Sequence, residues 1–219
     1  MIAYISLISG MLMLPVLYSL LFLWYRREFK KEENQRARPF ARKDERAALC
    51  IGELALVRFW SLQGRCGFAD LRFALVYLML AGMLFFCISD LRERVVPNKL
   101  LLGFFFLFPA AAGLYGLAGR ETMGELLPSA VSGMAFSALC FGAGYLLGRG
   151  RMGAGDVKLS LVMGLYLTAE YVTGAILYGC IVGAAYSAFR LIRTKGTEKA
   201  GMPLVPFLYI GMIVRLFMG

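Results

Sequence analysis

The sequence predicts an all-α integral membrane protein, a polytopic bundle of about six core transmembrane helices preceded by an N-terminal anchor helix. Three observations carry this expectation. Hydrophobic residues make up 59% of the 219 and charged residues 17%, against about 25% charged in soluble domains, and the mean hydropathy is +0.67. Apolar stretches such as 71–89, 100–118 and 176–189 run too long and too unbroken for the core helices of a small soluble domain. The net charge of +10 gathers in the joints between those stretches, where the positive-inside rule places basic residues. It does not line a polar helix face beside stacking aromatics, so no nucleic-acid partner is expected and the lipid bilayer is.

The first element is the apolar run 1–25, followed at once by Arg26 and Arg27. It lacks the basic start and small-residue cleavage site of a secretory signal, so the expectation is a retained transmembrane anchor with its N-terminus outside. Residues 26–46 hold nine Lys or Arg and five acidic residues with almost nothing apolar; such a stretch cannot bury a core and reads as cytoplasmic. The run ALCIGELALVRFWSL that follows is apolar enough to enter the membrane but carries Glu53 and Arg58, which are costly at the bilayer centre unless paired. It is expected as a marginal span or an interfacial helix, and 26–70 together as a basic linker plus that marginal span.

Beyond it, six core spans are expected at about 71–90, 98–118, 127–148, 157–169, 171–191 and 202–218, making 71–219 the functional core. Placing the loops 91–99, 149–158 and 192–199 on one side collects Arg92, Arg94, Lys99, Arg149, Arg151, Lys158, Arg193, Lys195 and Lys199 there. By the positive-inside rule that side is the cytoplasm, and the protein is expected to be a multi-pass protein of the inner (plasma) membrane.

The chain has no His, which removes Ser-His-Asp and Cys-His relays, His-held haem and His-ligated zinc. The five Cys (Cys50, Cys66, Cys87, Cys140, Cys180) are scattered singly, with no C-x-x-C pair, and read as small buried apolar residues. Catalysis must then rest on carboxylates, Lys, Tyr, Ser or Cys. Ionisable groups beside apolar spans are the first candidates in a membrane protein. Asp90 closes a span in FFCISDLRERVVPN, and Asp156 opens another in GRMGAGDVKLS. Both fall on the cytoplasmic border and can meet if the two spans pack together. A facing pair of carboxyls is what an aspartic protease uses: one takes a proton from water while the other, protonated, donates to the scissile carbonyl. Helix ends suggest a division, because Asp90 at a C-terminus is disfavoured as an anion and Asp156 at an N-terminus is favoured.

The ordinary role of a single Asp at a span end is a solvated cap. Its surroundings add to the case for Asp156: Gly153 and Gly155 lack a Cβ and let another backbone come close or the loop take positive φ, as a plain turn also would. Lys158 can hold an Asp anion, contact a substrate chain or snorkel to lipid phosphate. Pro97 is expected in the first turn of a span and Asn98 as a capping residue, both supporting the site. No metal or organic cofactor is expected, since two carboxyls and a water need none. The competing expectation is a non-catalytic membrane module or small transporter in which Asp90, Asp156 and Lys158 form an ion-relay cluster.

Three strings in order, DLRERVVPN (90–98), GAGDVKL (153–159) and MPLVPFLYIG (202–211), each at a span boundary, resemble the type IV prepilin peptidase family of membrane aspartic proteases. The resemblance covers about 71–219. It implies a bundle of roughly six core helices, with Asp90 and Asp156 as the catalytic aspartates. It also implies removal of the short basic leader from prepilin or pseudopilin substrates, just before their apolar helix. Members that also methylate the new N-terminus usually carry paired C-x-x-C zinc ligands and a G-S-F-L-N-V type motif. This chain shows neither, so it looks closer to the short, peptidase-only members, and no methyl-transfer expectation is carried over.

Overall fold

The computed structural model describes residues 19–20, 23, 43–62, 70–117, 123–148, 152–193 and 202–218. Apart from residues 19, 20 and 23, the expected anchor over 1–25 and the basic run 26–42 lie outside the described residues. So do the loop cations Arg149, Arg151, Lys195 and Lys199. Among the described residues every regular element is a helix, and the chain divides into two compact units, 1–67 and 68–219.

The first unit contains α1 (Lys43–Ser61). Asp44 and Glu45 lie in its first turn and Arg58 in its last, a charge order that complements the helix dipole. Arg58 turns to its own helix end: its Nη1 donates to Ser61 Oγ at 3.2 Å, and Ser61 Oγ donates to the Arg58 carbonyl at 2.7 Å. With that charge load α1 is not among the helices apolar enough to cross a membrane.

The second unit holds six helices: α2 (Asp70–Glu93), α3 (Asn98–Leu117), α4 (Met123–Leu147), α5 (Ala154–Tyr166), α6 (Ala169–Arg193) and α7 (Val205–Met218). Each expected core span has become a helix, but the six are unequal. Leu71–Glu93, Leu126–Leu147 and Ala169–Arg193 are long and apolar enough to cross a membrane. With 13 and 14 residues, α5 and α7 rise only about 20 Å each, short of a hydrocarbon core of about 30 Å. Helix α3, with 20 residues, carries Pro109 within it. Three of the six expected core spans thus have the length and composition of a membrane-crossing helix.

Helix α2 packs on α7 and α3, α3 on α5, α5 on α4, α4 on α6, and α6 on α7, which closes a ring; α2 also touches α5 across it. Two-thirds (67%) of the apolar stretch of α2 is buried, against 22% for α4 and 17% for α6. Of these three, the helix that carries Asp90 is therefore the interior one, and the outer two present Leu139, Leu146, Leu177, Ile181 and Phe189 outward. An aromatic cluster ties α2, α3 and α5: Phe86 to Phe104 at 5.8 Å, Phe104 to Tyr166 at 6.1 Å and Phe108 to Tyr166 at 5.3 Å between ring centroids. The Tyr166 hydroxyl donates to the Phe104 carbonyl at 2.8 Å, so the C-terminal end of α5 is pinned to α3.

Two helix crossings are made of backbone against backbone. A Cβ on Gly164 of α5 would strike the Gly133 carbonyl of α4, and one on Gly211 of α7 would strike Ala175 and Gly179 of α6. Where apolar burial between helices is supplied as well by lipid, such small residues let dispersion between close backbones hold the helices together. At the α6–α7 contact distant from Asp90, Arg215 Nη2 pairs with Glu170 Oε1 at 2.5 Å and lies over the Tyr171 ring, 4.7 Å from its centroid.

Candidate active site

Asp90 lies one turn before the end of α2 and is 5% exposed. Helix α2 stops because Arg94 takes a left-handed conformation, φ 56°, while its N–H still donates to the Asp90 carbonyl at 3.0 Å. A residue in this conformation is a common way to end a helix, although Gly or Asn usually occupies it. Asp90 Oδ2 accepts the Val205 N–H at 3.0 Å, and the Leu204 N–H also bonds its carboxyl. These donors are among the otherwise unpaired amides at the start of α7. Ser89, the residue before it, is 3% exposed and its Oγ donates to the Val95 carbonyl at 2.8 Å.

Asp156 is the third residue of α5, whose N-cap is Gly153. Its own N–H donates to the Gly153 carbonyl at 3.1 Å, and its carboxylate accepts the Gly153 N–H. This is the reach-back half of a capping box, with Gly in place of the usual Ser or Thr. Asp156 precedes the apolar run of α5; burial pushes its carboxyl above the ordinary value, while the Gly153 N–H pulls the other way.

The two aspartates are near enough for the charge of Asp156 to act on Asp90, as does that of Arg94, and the segments that carry them are in contact. Gly155 faces Val96: a Cβ on Gly155 would stand 3.2 Å from Val96 Cβ and 3.5 Å from Cγ2. Gly153 is similarly close to the site, because a Cβ there would stand 3.2 Å from Asp156 Oδ2. Lys158 is exposed and its Nζ lies 3.5 Å from Asn98 Oδ1, so these two form one polar rim. Pro97 stands just ahead of α3, and its carbonyl accepts the Leu101 N–H at 3.1 Å.

The division of roles from helix ends counted only each aspartate's own helix; the start of α7 also points its amides at Asp90, a contribution of the opposite sign from a third helix end. The segment that comes close to Gly155 is Val96, with its side chain nearest and its backbone N at 4.0 Å from the position of a Cβ. What sequence reasoning missed was the donor role of Leu204 and Val205. Its only signal is the string MPLVP, where two prolines bracket a helix start. Among the described residues, no group of three or more His, Cys, Asp or Glu side chains is arranged to hold a metal ion.

The model of the type IV leader peptidase family matches residues 77–188, a stretch that contains both aspartates. The chain is similar to the prepilin leader peptidase/N-methyltransferase of Bacillus subtilis (strain 168), with 27% identity over 146 residues, which is 67% of this chain and 55% of that protein. The chain thus spans little more than half the length of this curated relative. No solved structure matches.

Proposed function

The chain belongs to the type IV leader peptidase family, and from that premise we propose that it is a membrane-embedded aspartic endopeptidase. Its substrates are prepilin-like or pseudopilin chains, and it removes their short basic leader at the cytoplasmic membrane border. The relative's printed name describes a prepilin leader peptidase, which supports the substrate class. The observation that carries the mechanism is the convergence of two carboxyls from separate helices, one of them nearly inaccessible and bonded by the first amides of α7.

Carboxyls that act on each other titrate as a pair, and at intermediate pH they share one proton. The ionised member takes a proton from water as its oxygen attacks the scissile carbonyl carbon. The protonated member donates to the carbonyl oxygen, giving a neutral tetrahedral diol; proton return to the leaving amide nitrogen then breaks the C–N bond. A substrate whose apolar helix lies in the bilayer presents the bond preceding that helix at the membrane border. Asp90 and Asp156 would stand at that level, with the basic loops on the cytoplasmic side, within the peptidase core 71–219. Gly153, Gly155, Pro97 and Asn98 support the loops, and Lys158 is a rim cation available to the substrate chain.

The test is cleavage of a co-expressed prepilin or pseudopilin from the same genome by wild type, Asp90→Asn and Asp156→Asn. It is read as a gel shift with the new N-terminus sequenced. Cleavage after the leader by wild type alone is expected, with an unmethylated terminus. Full cleavage by either Asn variant overturns the dyad and leaves the non-catalytic membrane module as the better account.

A further inference from the structure

Asp90 and Asp156 are linked by a short chain of contacts that uses neither carboxyl. Ser89 precedes Asp90, and its buried hydroxyl bonds the Val95 carbonyl at 2.8 Å. Val95 is itself exposed, and this bond draws its carbonyl toward the end of α2. Val96 follows, is 8% exposed, and fits against Gly155 so closely that a Cβ there would stand 3.2 Å away. Gly155 precedes Asp156. Three peptide-bonded pairs, Ser89–Asp90, Val95–Val96 and Gly155–Asp156, are thus joined by two non-covalent contacts.

We propose that Ser89 is a positioning residue: by holding the Val95 carbonyl, its hydroxyl seats Val96 on the start of α5 and so sets the spacing of Asp156 from Asp90. The inference rests on the peptidase reading above, in which both carboxyls react. The local turn alone does not require Ser89. The left-handed Arg94 and its bond to the Asp90 carbonyl already end α2, so the hydroxyl acts on what comes after the turn. A two-carboxyl site depends on that spacing, because displacement of a reacting group by about 1 Å costs on the order of 100-fold in rate.

The experiment measures kcat and KM for cleavage of a prepilin-type substrate by the full chain, comparing wild type, Ser89→Ala, Val96→Ala and the double variant, with Asp90→Asn and Asp156→Asn alongside. Ser89→Ala is expected to lower kcat about 10- to 100-fold with KM held within about twofold. Val96→Ala is expected to do the same, and the double variant to lose little beyond either single one, because both act through one linkage. Wild-type kcat in Ser89→Ala overturns the proposal, and so do losses that multiply in the double variant. If Ser89→Ala does not yield folded enzyme, Val96→Ala decides alone: lowered kcat at unchanged KM upholds the proposal and wild-type kcat overturns it. Cleavage by either Asp→Asn variant at the wild-type rate overturns the peptidase reading and the proposal with it. Inactive Asp variants beside a fully active Ser89→Ala overturn the proposal only.

Discussion

Replacing Gly164 by alanine asks how far the carboxyls of the proposed dyad depend on a contact remote from them. The new Cβ would lie 2.7 Å from the Gly133 carbonyl carbon and 2.6 Å from Ser137 Oγ, and closer still to the Gly133 oxygen. Ordinary contact needs about 3.5 Å, so the α4–α5 crossing must open by about 1 Å. The obstacle is helix backbone, which cannot rotate aside as a side chain would. Overpacking of this kind costs about 1–3 kcal/mol. Asp156 lies eight residues up the same short helix, about 12 Å away, and α5 would move largely as one rod, since the Tyr166 hydroxyl holds its other end to α3. A displacement of about 1 Å at the reacting group then predicts a loss of about 100-fold in kcat. Rates of prepilin cleavage and thermal unfolding would be measured together, with Gly142→Ala on α4 as the control, because a Cβ there meets nothing within 4 Å. Wild-type turnover by Gly164→Ala, or an equal loss in Gly142→Ala, would refute the reasoning.

Gly155→Ala should lower activity several-fold through its 3.2 Å approach to Val96 Cβ, and unchanged turnover would show that the loop has room to yield. Removing the Tyr166 hydroxyl as Tyr166→Phe should cost about 1 kcal/mol of stability by leaving the Phe104 carbonyl short of a donor, visible as a lowered Tm. Arg215→Ala should cost no more than about 1 kcal/mol, since the Glu170 side chain is 76% exposed, and should leave kcat alone; a large fall in kcat would mean that this pair bears on the chemistry. Burial raises the Asp156 carboxyl, so the fold favours its protonated form, and that contribution is complete in acid and lost as pH rises through the raised value. Asp156→Asn should therefore gain on wild type in Tm as pH rises above the ordinary carboxylate range of about 4, and a constant difference would count against it.

Helix positions in 70–218 were legible because uninterrupted apolar runs bounded by charge, Pro and Gly leave few other ways to satisfy the backbone. The shortness of α5 was visible in the expected limits 157–169. Lengths alone did not reveal that α2 is interior and α4 and α6 peripheral, although the α2 run is the most apolar of the three. The aspartates were legible as charges at span borders, but their neighbours were not. That Leu204 and Val205 serve Asp90 depends on where α7 docks, a fact about packing that no local pattern encodes. Gly133, Gly164, Gly179 and Gly211 looked like the common glycines of membrane helices until the crossings placed them in pairs.

The bond from Val205 to Asp90 also orders events in time. Its two ends are 115 residues apart, so at about 5–20 residues per second Asp90 is synthesised on the order of ten seconds before the amide that will bond it. Throughout that interval the ribosome holds a chain whose α2 is complete and whose α7 does not yet exist. The nascent protein has both aspartates well before it has the arrangement around them. The surroundings of Asp90 are thus complete only once α7 has been made.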